Sequence, residues 1–197
     1  MILEGLVTTA NAAGELNIAP MGPIVDASMS WLRLRPFQTS QTFRNLVEHP
    51  QGVLHVTDDV LTLAKAAIGK LTETPETFAA TKIRGQVLRS ACRWYEFEVE
   101  SIDTSQQRSE ILVRVVHVGH LRDFFGFNRA KHAVLEAAIL ATRLHLLTRD
   151  DVESQLTTLR SPVEKTAGSD ELTAFQLLCD FIAEHYAVAE SVAFVAD

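Results

Sequence analysis

From Asn128 to Leu147 the sequence NRAKHAVLEAAILATRLHLL contains neither glycine nor proline and is dense in strong helix formers. Most of what precedes it reads as strands. Strands followed by a block of helices indicate an α+β protein, here a β-barrel and then a helical subdomain, divided at 1–126 and 127–197.

The strand half is punctuated by turns. ILEGLVTTA and ELNIAPMGPIV flank the short turn NAAG and read as a hairpin. MSWLRLRPF alternates Trp31, Arg33 and Arg35 with Leu32 and Leu34, and GVLHVTD is a short buried-type run. RWYEFEVESID and SEILVRVVHVGHL alternate around TSQQ, a second hairpin. Two short helices interrupt the strands. SQTFRNLVEH has Ser40 as its cap and Pro50 beyond its end, and DDVLTLAKAAIG is opened by Asp58 or Asp59 and stopped by Gly69. Later, TRDDVESQLTTLR starts at Thr148, Pro162 and Gly168 punctuate the run, and a last long helix starts at Ser169 or Asp170.

Apolar residues make up 47% and charged residues 22% of the 197, the balance of a folded globular chain. A net charge of −7 gives no general electrostatic support for nucleic acid or an anionic membrane. No apolar run approaches the roughly 18 residues of a membrane span, and the first residues lack the basic start of a signal peptide. A cytoplasmic protein is expected. Cys92 and Cys179 match no zinc spacing. His117 and His120 would point to opposite faces of a strand, and His132 with Glu136 lacks a third ligand, so no metal site is expected.

The segment NIAPMGP, Asn17 to Pro23, has the apolar residues of a strand but two prolines and a glycine. Proline cannot donate to a sheet ladder, and glycine admits a close approach to the backbone. Two readings follow: a bulge that ends an edge strand, or a strand rim whose main chain faces a planar heterocycle. In TSQTFRNL the cap of an ordinary helix and an anion site coincide, because both use a helix N-terminus. His55, before Thr57, Asp58 and Asp59, reads first as a histidine at the edge of the core. Arg129 and Lys131 fall in the first turn of a helix, where the macrodipole disfavours cations, so an anion is expected beside them.

NIAPMG, followed by a strand and a helix start carrying Thr42 and Asn45, resembles the flavin-reductase branch of the FMN-binding split barrels. EGLVTT, NIAPMGPIVD, HVTDD, CRWYEFEVE and RVVHVGHLRDFFGFNRAKHAVLEAAILATRLHLL together resemble domain-of-unknown-function family 447, across nearly the whole chain. The resemblance implies a split barrel with a helical C-terminal region and FMN as cofactor. Asn17, Ala19, Pro20, Met21 and Gly22 would lie along the flavin ring. Thr39, Ser40, Gln41 and Thr42 would lie at the phosphate, with His55, Arg129 and Lys131 as further candidates. The lysine usual in the helix-start motif is missing, and His55 stands where an asparagine is usual. A homodimer is implied, with NADH or NADPH as a possible electron donor. The implied function is a flavin-dependent oxidoreductase linked to tetrahydromethanopterin-dependent one-carbon metabolism. The alternative is a non-catalytic flavin-binding or scaffold dimer with a degenerate site. No catalytic acid or base stands out.

Overall fold

The computed structural model describes residues 1–195, and the side chains of residues 1–188. The first turn forms as its residues dictate: Asn11 Oδ1 accepts the Glu15 N–H at 2.9 Å, and Gly14 takes φ +83°, which costs glycine little. It joins β1 (Gly5–Ala10) to β2 (Leu16–Met21). Next come β3 (Ile24–Val25), β4 (Trp31–Leu34), helix α1 (Gln41–Glu48), β5 (Gln51–Val56) and helix α2 (Val60–Ala67). A small hairpin, β6 (Thr77–Ala79) and β7 (Gln86–Leu88), precedes the long strands β8 (Arg93–Asp103) and β9 (Glu110–His120). Seven strands make one antiparallel sheet in the order β2-β1-β5-β8-β9-β4-β3. Val7, Leu32, Leu34, Leu54, Phe97 and Val113 are fully buried inside it. Each such side chain contributes about 1.5–3 kcal/mol by leaving water.

The interrupted segment closes this sheet. Gly5 lies opposite Met21 and Pro20 opposite Leu6, and beyond Gly22 and Pro23 the same register resumes with Ile2 opposite Ile24. The Leu3 N–H donates to Pro23 O at 3.1 Å and the Val25 N–H to Met1 O at 2.8 Å. β3 turns its other side to β4, so the two ends of the sheet meet through residues 1–3. The reading of a bulge that ends the strand is therefore corrected, since pairing runs through Pro20 to Met21. Pro20 sits within a fully paired edge strand, the place in a sheet that tolerates proline. Gly22 and Pro23 form the corner. A Cβ on Gly22 would lie 2.7 Å from the Glu4 carboxylate, the end of a flexible, exposed side chain that could swing aside.

β6 and β7 were not expected from the sequence. They form a flap over the outer side of the sheet, where Phe78, Ile83 and Val87 pack on Val53 and Trp94. Three side chains of the sheet hold the flap. Thr8 Oγ1 donates to Gln86 O at 2.7 Å, and His55 Nε2 accepts the Leu88 N–H at 3.1 Å. Glu96 accepts the N–H of Thr81 at 2.7 Å and of Lys82 at 2.6 Å. Nearby, the buried Asp58 carboxylate meets both terminal nitrogens of Arg122, whose Nη2 also donates to Ser90 O.

By packing, the chain divides into residues 1–58 with 73–124 and residues 59–72 with 125–197. The helix after Asp59 thus groups with the C-terminal helices, whereas a division at 126 and 127 had left it with the barrel. In this second unit α2 packs on α3 (Arg129–Ala141) and on α5 (Ser169–Val195), and α4 (Arg149–Thr166) packs mainly on α3. α3 is shorter than its helix-forming run. It ends at Ala141, where the Thr142 hydroxyl turns back to Ile139 O, and a 3-10 turn over Leu144–Leu146 follows. α4 runs through Pro162 for another turn, and Thr166 Oγ1 donates to Pro162 O at 2.8 Å. Among the described residues no helix is long and apolar enough to cross a membrane.

Candidate functional site

Ser40 caps α1 as its residue type requires: its Oγ accepts the Phe43 N–H at 3.2 Å. This helix is then fastened to the first hairpin by side chains. Asn17 Nδ2 donates to Thr42 Oγ1 at 3.1 Å and lies 3.3 Å from Thr9 Oγ1, which also accepts Asn45 Nδ2 at 3.0 Å. Gln41 Nε2 donates to Asn45 Oδ1 at 2.6 Å. Asn17 and Thr42, 25 positions apart, are thus in direct contact, and the two motifs of the split-barrel resemblance form one polar cluster. Ala19 and Met21 share the face of β2 that carries Asn17, by the two-residue period of a strand, and Met21 packs on the barrel core.

The first turns of α1 and α2 are capped alike. At α2, the Asp59 carboxylate accepts the Thr62 N–H and hydroxyl, and the Val60 and Leu61 N–H groups have no acceptor among the described residues. At α3, Asn128 Oδ1 accepts the Lys131 N–H, and Thr166 Oγ1 accepts the Ala130 N–H. At α1, the N–H groups of Gln41 and Thr42 have no acceptor among the described residues. Arg44 curls back onto this same turn, with Nη1 donating to Thr39 O at 2.6 Å and Nη2 to Gln41 Oε1 at 2.9 Å. A guanidinium beside the positive end of a helix dipole raises the local positive potential. Five residues ahead of Ser40, the buried Nε of Arg35 has no hydrogen-bond partner among the described residues. The open N–H groups of Gln41 and Thr42 and the Arg44 charge at the N-terminus of α1 suit an anion.

His55 belongs elsewhere. It is fully buried on the flap side of the sheet, with Nδ1 on Leu6 O at 3.1 Å and Nε2 on the Leu88 N–H. Neither ring nitrogen is left for a ligand, which corrects its inclusion among cofactor-binding residues. The cations of α3 lie in the helical unit. Lys131 Nζ meets Glu171 Oε1 at 2.7 Å, so the anion expected beside it comes from this chain. Burial pushes the Glu171 carboxyl up, but Lys131 and the Gly168 N–H outweigh this and hold it below the usual range. Arg129 is exposed.

Sequence reasoning missed Thr9, Arg35 and Arg44 as members of this cluster or its surroundings. For Thr9 a signal existed, since the hairpin register set by the NAAG turn puts it opposite Asn17. For Arg44 the helical spacing to Gln41, three residues earlier, was a signal; Arg35 carried none.

Residues 3–122 match the family model described as the N-terminal domain of "Protein of unknown function (DUF447)", and residues 128–180 match "Protein of unknown function (DUF447)". No curated protein matches the chain. Among solved structures, the FMN-bound protein MM1853 from Methanosarcina mazei aligns with a TM-score of 0.77 at 21% identity, over 91% of this chain and 94% of its own. The styrene monooxygenase flavin reductase of Pseudomonas putida S12 aligns at 0.51 with 13% identity, over 60% of this chain and 81% of its own. The NADH:FAD oxidoreductase SgcE6 of Streptomyces globisporus aligns at 0.50 with 10% identity, over 59% and 75%. At these identities the likeness establishes the fold, a split β-barrel followed by helices. Matched by its family models over most of its length, the chain belongs to the DUF447 family.

Proposed function

We propose that this chain binds FMN beside β2 and the N-terminus of α1, and that it acts as a flavin-dependent oxidoreductase. The observation that carries this reading is the Asn17–Thr42 bond, which joins the interrupted strand to a helix end whose first N–H groups are unsatisfied. The residues present fit the cofactor. A phosphate offers acceptors to the Gln41 and Thr42 N–H groups. Thr39, Ser40, Gln41 and Thr42 would hold the phosphate, and the main chain of Asn17, Ala19, Pro20, Met21 and Gly22 would lie beside the ring. That MM1853 is FMN-bound supports the choice of flavin.

A bound flavin supplies hydride and electron transfer. The chain's own contribution is position, because a cofactor held at both ends needs no further ordering when a substrate arrives. The electron donor we infer is NADH or NADPH, a choice supported by the description of SgcE6 as an NADH:FAD oxidoreductase. Acceptors from tetrahydromethanopterin-linked one-carbon chemistry, implied by the family resemblance, are the first to assay.

The purified protein should be yellow and should release FMN on heating. Ser40→Ala removes one hydroxyl donor to a charged group, about 1.5–3 kcal/mol. FMN affinity should fall roughly 10- to 150-fold, while lost capping lowers folding stability by about 1 kcal/mol. Unchanged affinity would leave Ser40 as a cap alone. A protein that takes up no FMN would overturn the reading and leave a scaffold. Oxidation of NADH or NADPH by the loaded protein separates a reductase from a flavin carrier.

We also infer a homodimer. The barrel unit leaves Ile2, Trp31, Phe37 and Val47 exposed, apolar surface that a second copy could cover. Light scattering at micromolar concentration should return about twice 21.8 kDa, and a mass near 21.8 kDa would count against it.

A further inference from the structure

We infer that Thr9 is a positioning residue of the flavin site. Its buried hydroxyl holds the Asn17 amide so that Asn17 Oδ1 is presented as an acceptor to a hydroxyl of the cofactor's ribityl chain. This rests on the FMN reading and deepens it, because it gives a role to a residue outside the segments that would line the ring and the phosphate.

Arg44 donates and never accepts, which sets the direction of a hydrogen-bonded chain running from α1 to β1 and β2. Its Nη2 donates to Gln41 Oε1 at 2.9 Å, so Gln41 turns its Nε2 to Asn45 Oδ1 at 2.6 Å. Asn45, only 1% exposed, then donates through Nδ2, to Thr9 Oγ1 at 3.0 Å. Thr9 is itself 3% exposed, and the same oxygen accepts Asn17 Nδ2 at 3.3 Å. Asn17 Nδ2 also donates to Thr42 Oγ1 at 3.1 Å. A hydroxyl oxygen has two lone pairs, and those of Thr9 are filled by Asn45 and Asn17.

Both hydrogens of the Asn17 amide are thereby engaged, which fixes its orientation. Its Oδ1 accepts nothing among the described residues, and it is not one of the side-chain atoms shut off from solvent. An acceptor that is both held and open suits a donor from a ligand. Asn17 bridges β2 and the start of α1, where the ring and the phosphate are proposed to lie. The ribityl chain joins those two groups in FMN, and its hydroxyls are donors of the kind that Oδ1 lacks.

The test measures FMN and riboflavin affinity of the full chain well below its melting temperature, so that lost stability does not enter. Thr9→Val keeps the shape and removes the acceptor. Asn17 is then free to turn, and FMN affinity should fall roughly 3- to 12-fold, the contribution of one neutral hydrogen bond. Riboflavin, which has the ribityl chain but no phosphate, should lose by the same factor. Thr9→Ser restores the hydroxyl and should bind both ligands as the parent does. In a double-mutant cycle, Thr9→Val should cost nothing further once Asn17→Ala has removed the amide. If Thr9→Val does not fold, Thr9→Cys, whose sulfur accepts only weakly, carries the same comparisons.

Equal FMN affinity of Thr9→Val and parent would overturn the assignment and leave Thr9 as architecture. So would additive losses in the cycle, because Thr9 would then act by a route other than Asn17, or a Thr9→Ser variant as weak as Thr9→Val. A loss for FMN with none for riboflavin would overturn the ribityl contact and move the effect to the phosphate. A parent that binds no FMN would instead overturn the function proposed above, and this assignment with it.

Discussion

Glu96→Ala should lower the melting temperature by roughly 6–20 °C at neutral pH. The carboxylate is fully buried, and it accepts the Thr81 and Lys82 N–H groups and Trp94 Nε1 at 3.1 Å. Burial pushes its carboxyl up, but those three donors and His117 outweigh it and hold it below the usual carboxylate range. Alanine would leave the buried Trp94 Nε1 and the part-buried Thr81 and Lys82 N–H groups without their shared acceptor, a loss of three hydrogen bonds to a charged group that costs about 3–5 kcal/mol. For a chain of this size each kcal/mol moves the melting temperature by about 2–4 °C. Glu96→Gln should lose less, since its amide oxygen can still serve one side while its NH₂ opposes an N–H on the other. The order parent, Gln, Ala in thermal melts checks the cluster. A Glu96→Gln variant as stable as the parent would show that the charge is not needed. Because the flap hangs on this carboxylate, exchange of the Thr81 and Lys82 amides should rise before global unfolding.

Acid should loosen the same flap through His55. The Leu88 N–H donates to Nε2, so the ring is neutral with its proton on Nδ1, facing Leu6 O. Burial lowers its pKa from 6.5 to about 4, against a smaller opposing effect of the Leu6 carbonyl. The unfolded chain therefore binds a proton that the folded chain refuses between these two values. The stability that His55 contributes is complete above pH 6.5 and is lost as the pH falls toward 4. The loss amounts to about 3 kcal/mol in all, of which about 2 kcal/mol has gone by pH 5. Glu96 adds its own loss only at lower pH, as protons reach a carboxylate of depressed pKa. Urea midpoints between pH 8 and 5 should show this slope in the parent. His55→Gln, less stable at pH 7, should flatten it. An equal slope in both proteins would assign the acid sensitivity to other groups.

The local grammar of this chain was legible without a structure. Ser40, Asp59 and Thr148 cap the helices they precede, because a short polar side chain before a helical run satisfies an N–H that nothing else can reach. The NAAG and TSQQ turns join the hairpins they promised. Those features depend on neighbours within a few residues. The closure of the barrel does not. Gly22 and Pro23 announce an interruption, but only pairing with residues 1–3 on one side and β4 on the other turns it into a corner between sheet edges. A two-residue period says that Val53 and His55 share a face. It is silent on whether that face looks into the barrel or under a flap formed about twenty to thirty-five residues later. The same holds for α2, which follows a barrel strand in sequence yet packs with helices some seventy residues or more away. The Asn17–Thr42 contact and the stranded Nε of Arg35 likewise exist only once distant segments meet. Burial and unmet hydrogen bonds belong to the assembled fold, and a sequence motif carries them only when the whole fold has already been seen.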